Sequence, residues 1–103
     1  MFKAMILLKR KEEMSFAEFK NWLLIEHAPR ARQLPGLKRA VFNLVAGAGD
    51  GNYDSVSELW FESEQHFIDA YASDIGQNVA ADSLSKVVKR DRLLVSEHEV
   101  FAG

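Results

Sequence analysis

The chain has 103 residues, of which 48% are hydrophobic, 11% aromatic and 27% charged, the balance of one globular domain built on one core. A formal charge of −2 and a pI near 5.9 exclude the basic footprint that nucleic acid or an anionic membrane surface requires of its partner. The absence of cysteine excludes disulfides, thiolate metal sites and thiol nucleophiles, so stability has to come from packing and association, and the cytoplasm is the expected compartment.

Phe2 to Lys9 is a short apolar run bounded by charges and reads as a first strand buried on both faces. It is too short for a membrane span, and no small-residue cleavage site follows it, so it is read as mature protein rather than a signal. Ser15 and Glu18 then have capping-box spacing, which predicts a helix start. At about 100° per residue, Phe16, Phe19, Leu23 and His27 share one stripe, with Trp22 at its margin. Pro29 offers no amide and clashes with the carbonyl of Ile25, so the helix has to bend or restart around His27-Ala28-Pro29.

Leu34-Pro35-Gly36-Leu37 is a turn, and Leu37 to Ala46 alternates as a second strand. The Gly47 to Asn52 stretch is a loop. Its alternate glycines lack the lysine and helix cap of a phosphate cradle, so a hairpin connection is expected. Asp54 to Glu62 is a third strand. Ser63 caps a second helix carrying Phe67, Ile68 and Tyr71; Ser73-Asp74 can recap a further turn from Gly76 to Ala81. Ser83 to Arg90 is open between helix and loop, and Arg92 to Phe101 is expected as the fourth strand.

The order β, α, β, β, α, β predicts a ferredoxin-like α+β domain, a four-stranded antiparallel sheet with its helices on one face. Both alternation sets of the first strand are largely apolar, and Phe42, Leu44, Leu59 and Phe61 are expected on the uncovered face. That face then needs a second copy, giving a homodimer with an apolar cavity between each sheet and its helices.

His27-Ala28-Pro29, Leu34-Pro35-Gly36-Leu37, Tyr53-Asp54-Ser55-Val56-Ser57-Glu58-Leu59-Trp60-Phe61, Gly76-Gln77, Ala80-Ala81-Asp82 and Glu97-His98 resemble the EthD family, named for ethyl tert-butyl ether degradation. The resemblance implies a dimeric α+β barrel. It also implies a group whose members include oxidative degradation proteins and cofactor-free isomerases, lyases or decarboxylases acting on small hydrophobic ring compounds. The sequence departs from the pattern at Ala40, where relatives commonly carry a tyrosine, and at Arg30, where an aliphatic residue is usual.

His27 is the foremost candidate for catalysis, because an imidazole in an apolar cavity can take or give a proton beside a hydrophobic ligand; the alternative reading is a hydrogen-bonded core histidine. Glu58 alternates with Val56 and Trp60, and is the carboxylate expected either to couple to His27 or to form a structural ion pair. Trp22, Trp60 and Phe42 are candidate ligand-binding aromatics, with plain core packing as the alternative. His98, alternating with Ser96 and Val100 on the expected fourth strand, is either ligand-binding or structural; His66 is expected in solvent. Three histidines at these spacings make no metal site, and no cofactor motif accompanies them. The expected function is acid–base chemistry by His27 on a small hydrophobic compound, possible outcomes being isomerase, lyase or monooxygenase; the alternative is a non-catalytic binding protein serving a partner oxygenase.

Overall fold

The computed structural model describes residues 1–47 and 51–103. The expected loop at Gly47 to Asn52 therefore falls in part on Ala48, Gly49 and Asp50, outside the described residues.

Four antiparallel strands, β1 (Phe2–Arg10), β2 (Arg39–Leu44), β3 (Ser55–Phe61) and β4 (Val87–Val95), form one sheet in the order β2-β3-β1-β4. This is the ferredoxin-like arrangement. On one face Ala4, Ile6 and Leu8 of β1 and Leu59 and Phe61 of β3 are buried with Phe19, Trp22 and Leu23 of the first helix and Phe67, Ala70 and Val79 of the later ones. Among the described residues no helix is long and apolar enough to cross a membrane.

The first helix begins as expected. Ser15 accepts from the Glu18 amide and the Glu18 carboxylate accepts from the Ser15 amide, closing the capping box ahead of α1 (Phe16–Asn21). Pro29 does not break the helix. A π-helical turn over Trp22–His27 precedes α2 (Ala28–Ala31), and the Ala28 amide donates to the Leu23 carbonyl five residues back. The wider winding absorbs the missing Pro29 donor and rotates positions five apart toward one another. Trp22 and His27 consequently meet as a tilted ring pair, with centroids 4.7 Å apart.

Ser63 caps α3 (Glu64–Ala72), and Ser73 both ends α3 and caps α4 (Asp74–Leu84). Gly36 sits at φ +78 in the Pro35-Gly36 turn, a conformation that favours glycine.

Two expectations are corrected. The fourth strand is Val87–Val95, not Arg92 to Phe101. Register explains the shift, since Arg10 pairs with Val87 and Lys3 with Val95, leaving only Phe2 of β1 for residues further on. Secondly, Phe42, Leu44, Leu59 and Phe61 point toward the helices. The opposite face carries Met5, Leu7, Val41, Val56, Trp60 and Leu93 among charges: Lys3 bonds Glu58 (2.6 Å) and Glu97 (3.2 Å).

Candidate functional site

The helix-facing side of the sheet holds a cavity of about 10 Å³, room for about one water molecule. Its apolar wall comes from Ile6, Leu8, Ala31, Phe42, Leu59 and Val79. The polar wall comes from every layer around it: His27 from the π turn, Ser57 from β3, Tyr71 from α3, Ser83 from α4 and Arg90 from β4.

His27 is 6% exposed, and its Nδ1 lies 2.8 Å from Oδ2 of Asp82, on α4. Burial pushes the imidazole below its ordinary 6.5, outweighing the pull of Asp82 in the other direction, and the charges of Arg30 and Arg90 add to the depression. A neutral ring beside a carboxylate carries its proton on Nδ1, donated to Asp82, which leaves the Nε2 lone pair as the basic site. Phe42 lies along the ring, with centroids 6.1 Å apart.

Four buried side-chain polar atoms lack a partner among the described residues: Trp22 Nε1, Ser55 Oγ, Ser83 Oγ and Arg90 Nε. Ser83 and Arg90 both line the cavity. The Arg90 guanidinium carbon stands 5.8 Å from the Tyr71 ring centroid. Burial raises the Tyr71 hydroxyl above its ordinary value, against the opposing effect of the Arg90 charge.

A second, open groove of about 280 Å³ lies outside, between the first helix and β2, lined by Leu24, Ala28, Ala31, Arg32, Ala40 and Phe42. Ala31 and Phe42 belong to both walls, so they separate the groove from the inner cavity. Ala40, where the family pattern carries a tyrosine, contributes only a methyl group to the groove wall.

The sequence candidates scatter. His27 and Phe42 come together at the cavity. Glu58 does not join them, because strand parity puts it on the opposite face, bonded to Lys3 at 2.6 Å and to Asn43 at 2.9 Å. Those two bonds hold its carboxyl below the usual range, Lys3 contributing most. Trp22 is buried between Phe19 and His27 rather than lining the cavity. Trp60 is also on the far face, with Lys3 Nζ 4.7 Å and Arg39 Cζ 4.5 Å from its ring and its indole N–H donating to Glu97. His98 lies beyond β4, exposed, with Nε2 3.0 Å from Ser96 Oγ. Arg30 is exposed and its Nε is 3.7 Å from Asp82.

Asp82, Ser83 and Arg90 are the residues that pattern reading missed. Asp82 had a signal, since it closes the Ala80-Ala81-Asp82 stretch that carries the family resemblance. Arg90 had none, sitting in the charged run Lys89-Arg90-Asp91-Arg92. Among the described residues no group of three His, Cys, Asp or Glu side chains is placed to hold a metal ion.

The model of the EthD domain matches residues 11–88, from the end of β1 to the start of β4, and so includes His27, Asp82 and Ser83. The chain belongs to the EthD family. An EthD family protein of Bacillus halodurans superposes with a TM-score of 0.81 at 21% identity, over 95% of this chain and 100% of that one. A dimeric ferredoxin-like protein of Thermobifida fusca gives a TM-score of 0.74 at 14% identity, covering 93% and 90% of the two chains. SnoaB of Streptomyces nogalater, a cofactor-independent oxygenase, gives 0.72 at 14% identity, covering 99% and 97%. At these identities the likeness is one of fold. None of the curated proteins matches the chain in sequence.

Proposed function

We propose that this EthD protein is a small acid–base catalyst acting on a hydrophobic ring compound without a cofactor, with His27 as the base. The carrying observation is the buried His27, oriented by Asp82 at 2.8 Å and set in the wall of a cavity. Depression of its pKa keeps the imidazole unprotonated at neutral pH, ready to accept a proton through Nε2. Removing a proton from an acidic C–H or O–H leaves an electron-rich anion. That anion is the intermediate of an isomerase or lyase, and equally the species that reacts with dioxygen in cofactor-free oxygenation, the activity named for SnoaB. The working unit in this reading is a homodimer, formed through the sheet face opposite the helices, in the cytoplasm. The Thermobifida neighbour is dimeric, and Met5, Leu7, Val41 and Val56 supply apolar area there.

Turnover of an identified substrate by a folded His27→Ala protein at the wild-type rate would remove the acid–base role. A second reading is supported by the size of the inner cavity, which in this structure has room for about one water. There the protein carries a hydrophobic intermediate in the outer groove for a partner oxygenase, and His27 only hydrogen-bonds. A ligand that copurifies and stays chemically unchanged for hours at neutral pH supports carriage over catalysis.

A further inference from the structure

We infer that the Ser83–Arg90 corner of the inner cavity is an oxyanion subsite, which takes the single oxygen of a phenol, enol or enolisable ketone whose apolar body reaches past Phe42 into the outer groove. The substrate class rests on the proposed base role of His27; the subsite itself rests on Ser83 and Arg90.

Ser83 is 3% exposed, and its Oγ has no partner among the described residues. Arg90 Nε is buried and likewise unpartnered. Lys3, Arg10 and His27 pair with Glu58, Asp54 and Asp82, whereas no carboxylate among the described residues stands within 4.0 Å of Arg90. Arg90 as a whole is half-buried, but its Nε is sealed from water, and a buried cationic N–H without an acceptor is costly unless a ligand supplies one. Tyr71, against the guanidinium, is held neutral by burial, so it screens Arg90 without balancing its charge.

The shape of the site restricts the anion. The inner cavity of about 10 Å³ has room for about one oxygen-sized atom, which favours a ligand that presents a single oxygen over a carboxylate or phosphate head. Phe42 and Ala31 separate this point from the apolar groove of about 280 Å³, which Leu24, Ala28 and Ala40 line. A ring in the groove with one oxygen projecting inward meets both volumes once the Phe42 side chain swings aside. In the proton transfer, the substrate O–H or α C–H bond breaks and a bond from hydrogen to His27 Nε2 forms. The electron pair stays on the substrate, where its charge on oxygen faces Arg90 and the Ser83 hydroxyl.

The probe is 4-nitrophenol, whose anion alone absorbs visible light, titrated from acid to base with wild-type protein and with a Phe42→Ala protein whose cavity and groove are joined. The expected result is a fall in the apparent pKa of the bound probe by about one unit or more, a tenfold or greater preference for the anion. Arg90→Gln should abolish the shift and Ser83→Ala reduce it. Arg90→Lys should restore part of it, while Arg30→Gln, outside the cavity, leaves it intact. His27→Gln should retain the shift, so failure of the base role and failure of the subsite are read separately. The inference is overturned if neither wild type nor Phe42→Ala lowers the probe pKa, or if a folded Arg90→Gln protein lowers it as far as wild type does.

Discussion

The Nδ1 atom of His27 and the Oδ2 atom of Asp82 are 2.8 Å apart although 55 positions separate the residues in the chain. The bond joins the π turn to α4 and decides which imidazole nitrogen is left without a proton. Nitrogen-15 NMR at neutral pH should find His27 neutral with its proton on Nδ1. Asp82→Asn should mix or reverse that tautomer and, on an identified substrate, lower turnover by about 10²- to 10⁴-fold. An unchanged tautomer in the folded variant would mean that Asp82 does not set it.

Stability should depend on pH through the same ring. The unfolded imidazole titrates near 6.5 and the folded one lower, because burial disfavours its charged form. Above 6.5 both states are neutral and the contribution is fully present. As pH falls below 6.5 the unfolded chain takes up the proton first, so stability declines until the folded value is passed. Glu58 acts at lower pH, its folded value lying below 4.5, with a contribution present above 4.5 and lost as the lower value is crossed. Urea midpoints measured across this range should therefore show a first decline beginning near 6.5 that His27→Gln removes.

Gly76 is required by contact. A Cβ placed there would fall 2.0 Å from the Ala70 carbonyl oxygen and 2.5 Å from Tyr71 Cα, both backbone atoms of α3. Gly76→Ala should cost at least the ~1–3 kcal/mol typical of overpacking, measured by denaturant unfolding, and should displace Tyr71 at the cavity. A variant as stable as wild type would show that α3 and α4 can separate freely.

Asp54 is fully buried and accepts from both the Arg10 amide, at 2.8 Å, and the Arg10 guanidinium. Its own amide donates to the Leu8 carbonyl at 2.7 Å, tying the entry to β3 onto β1. Asp54→Ala strands the Arg10 donors and should destabilise the fold by about 3–5 kcal/mol, read from the unfolding midpoint. A loss below about 1 kcal/mol would mean that water replaces the carboxylate easily.

Local chemistry was the legible part. The capping box at Ser15 and Glu18 and the serine caps at Ser63 and Ser73 depend on residues within four positions of one another, and all lie where the pattern put them. Pro29 marked an irregularity correctly but not its form, because whether a helix breaks or widens depends on what its buried face packs against. The final strand was expected from Arg92 to Phe101, whereas pairing with β1 begins at Val87.

By itself the sequence determined the order of elements, the ferredoxin-like arrangement and the place of His27 on the buried side of its helix, since each follows from spacing along a short stretch of chain. Only the tertiary structure decided that Asp82, rather than Glu58, meets that histidine. Strand parity sends Glu58 through the sheet to Lys3, while the packing of α4 against the π turn closes a gap of 55 residues. It also decided that Ser83 and Arg90 converge on the same cavity, from a helix and a strand joined by a short turn that periodicity left unresolved. Periodicity assigns a residue to a face. Its neighbour across that face is chosen by register and packing, which are properties of the whole chain.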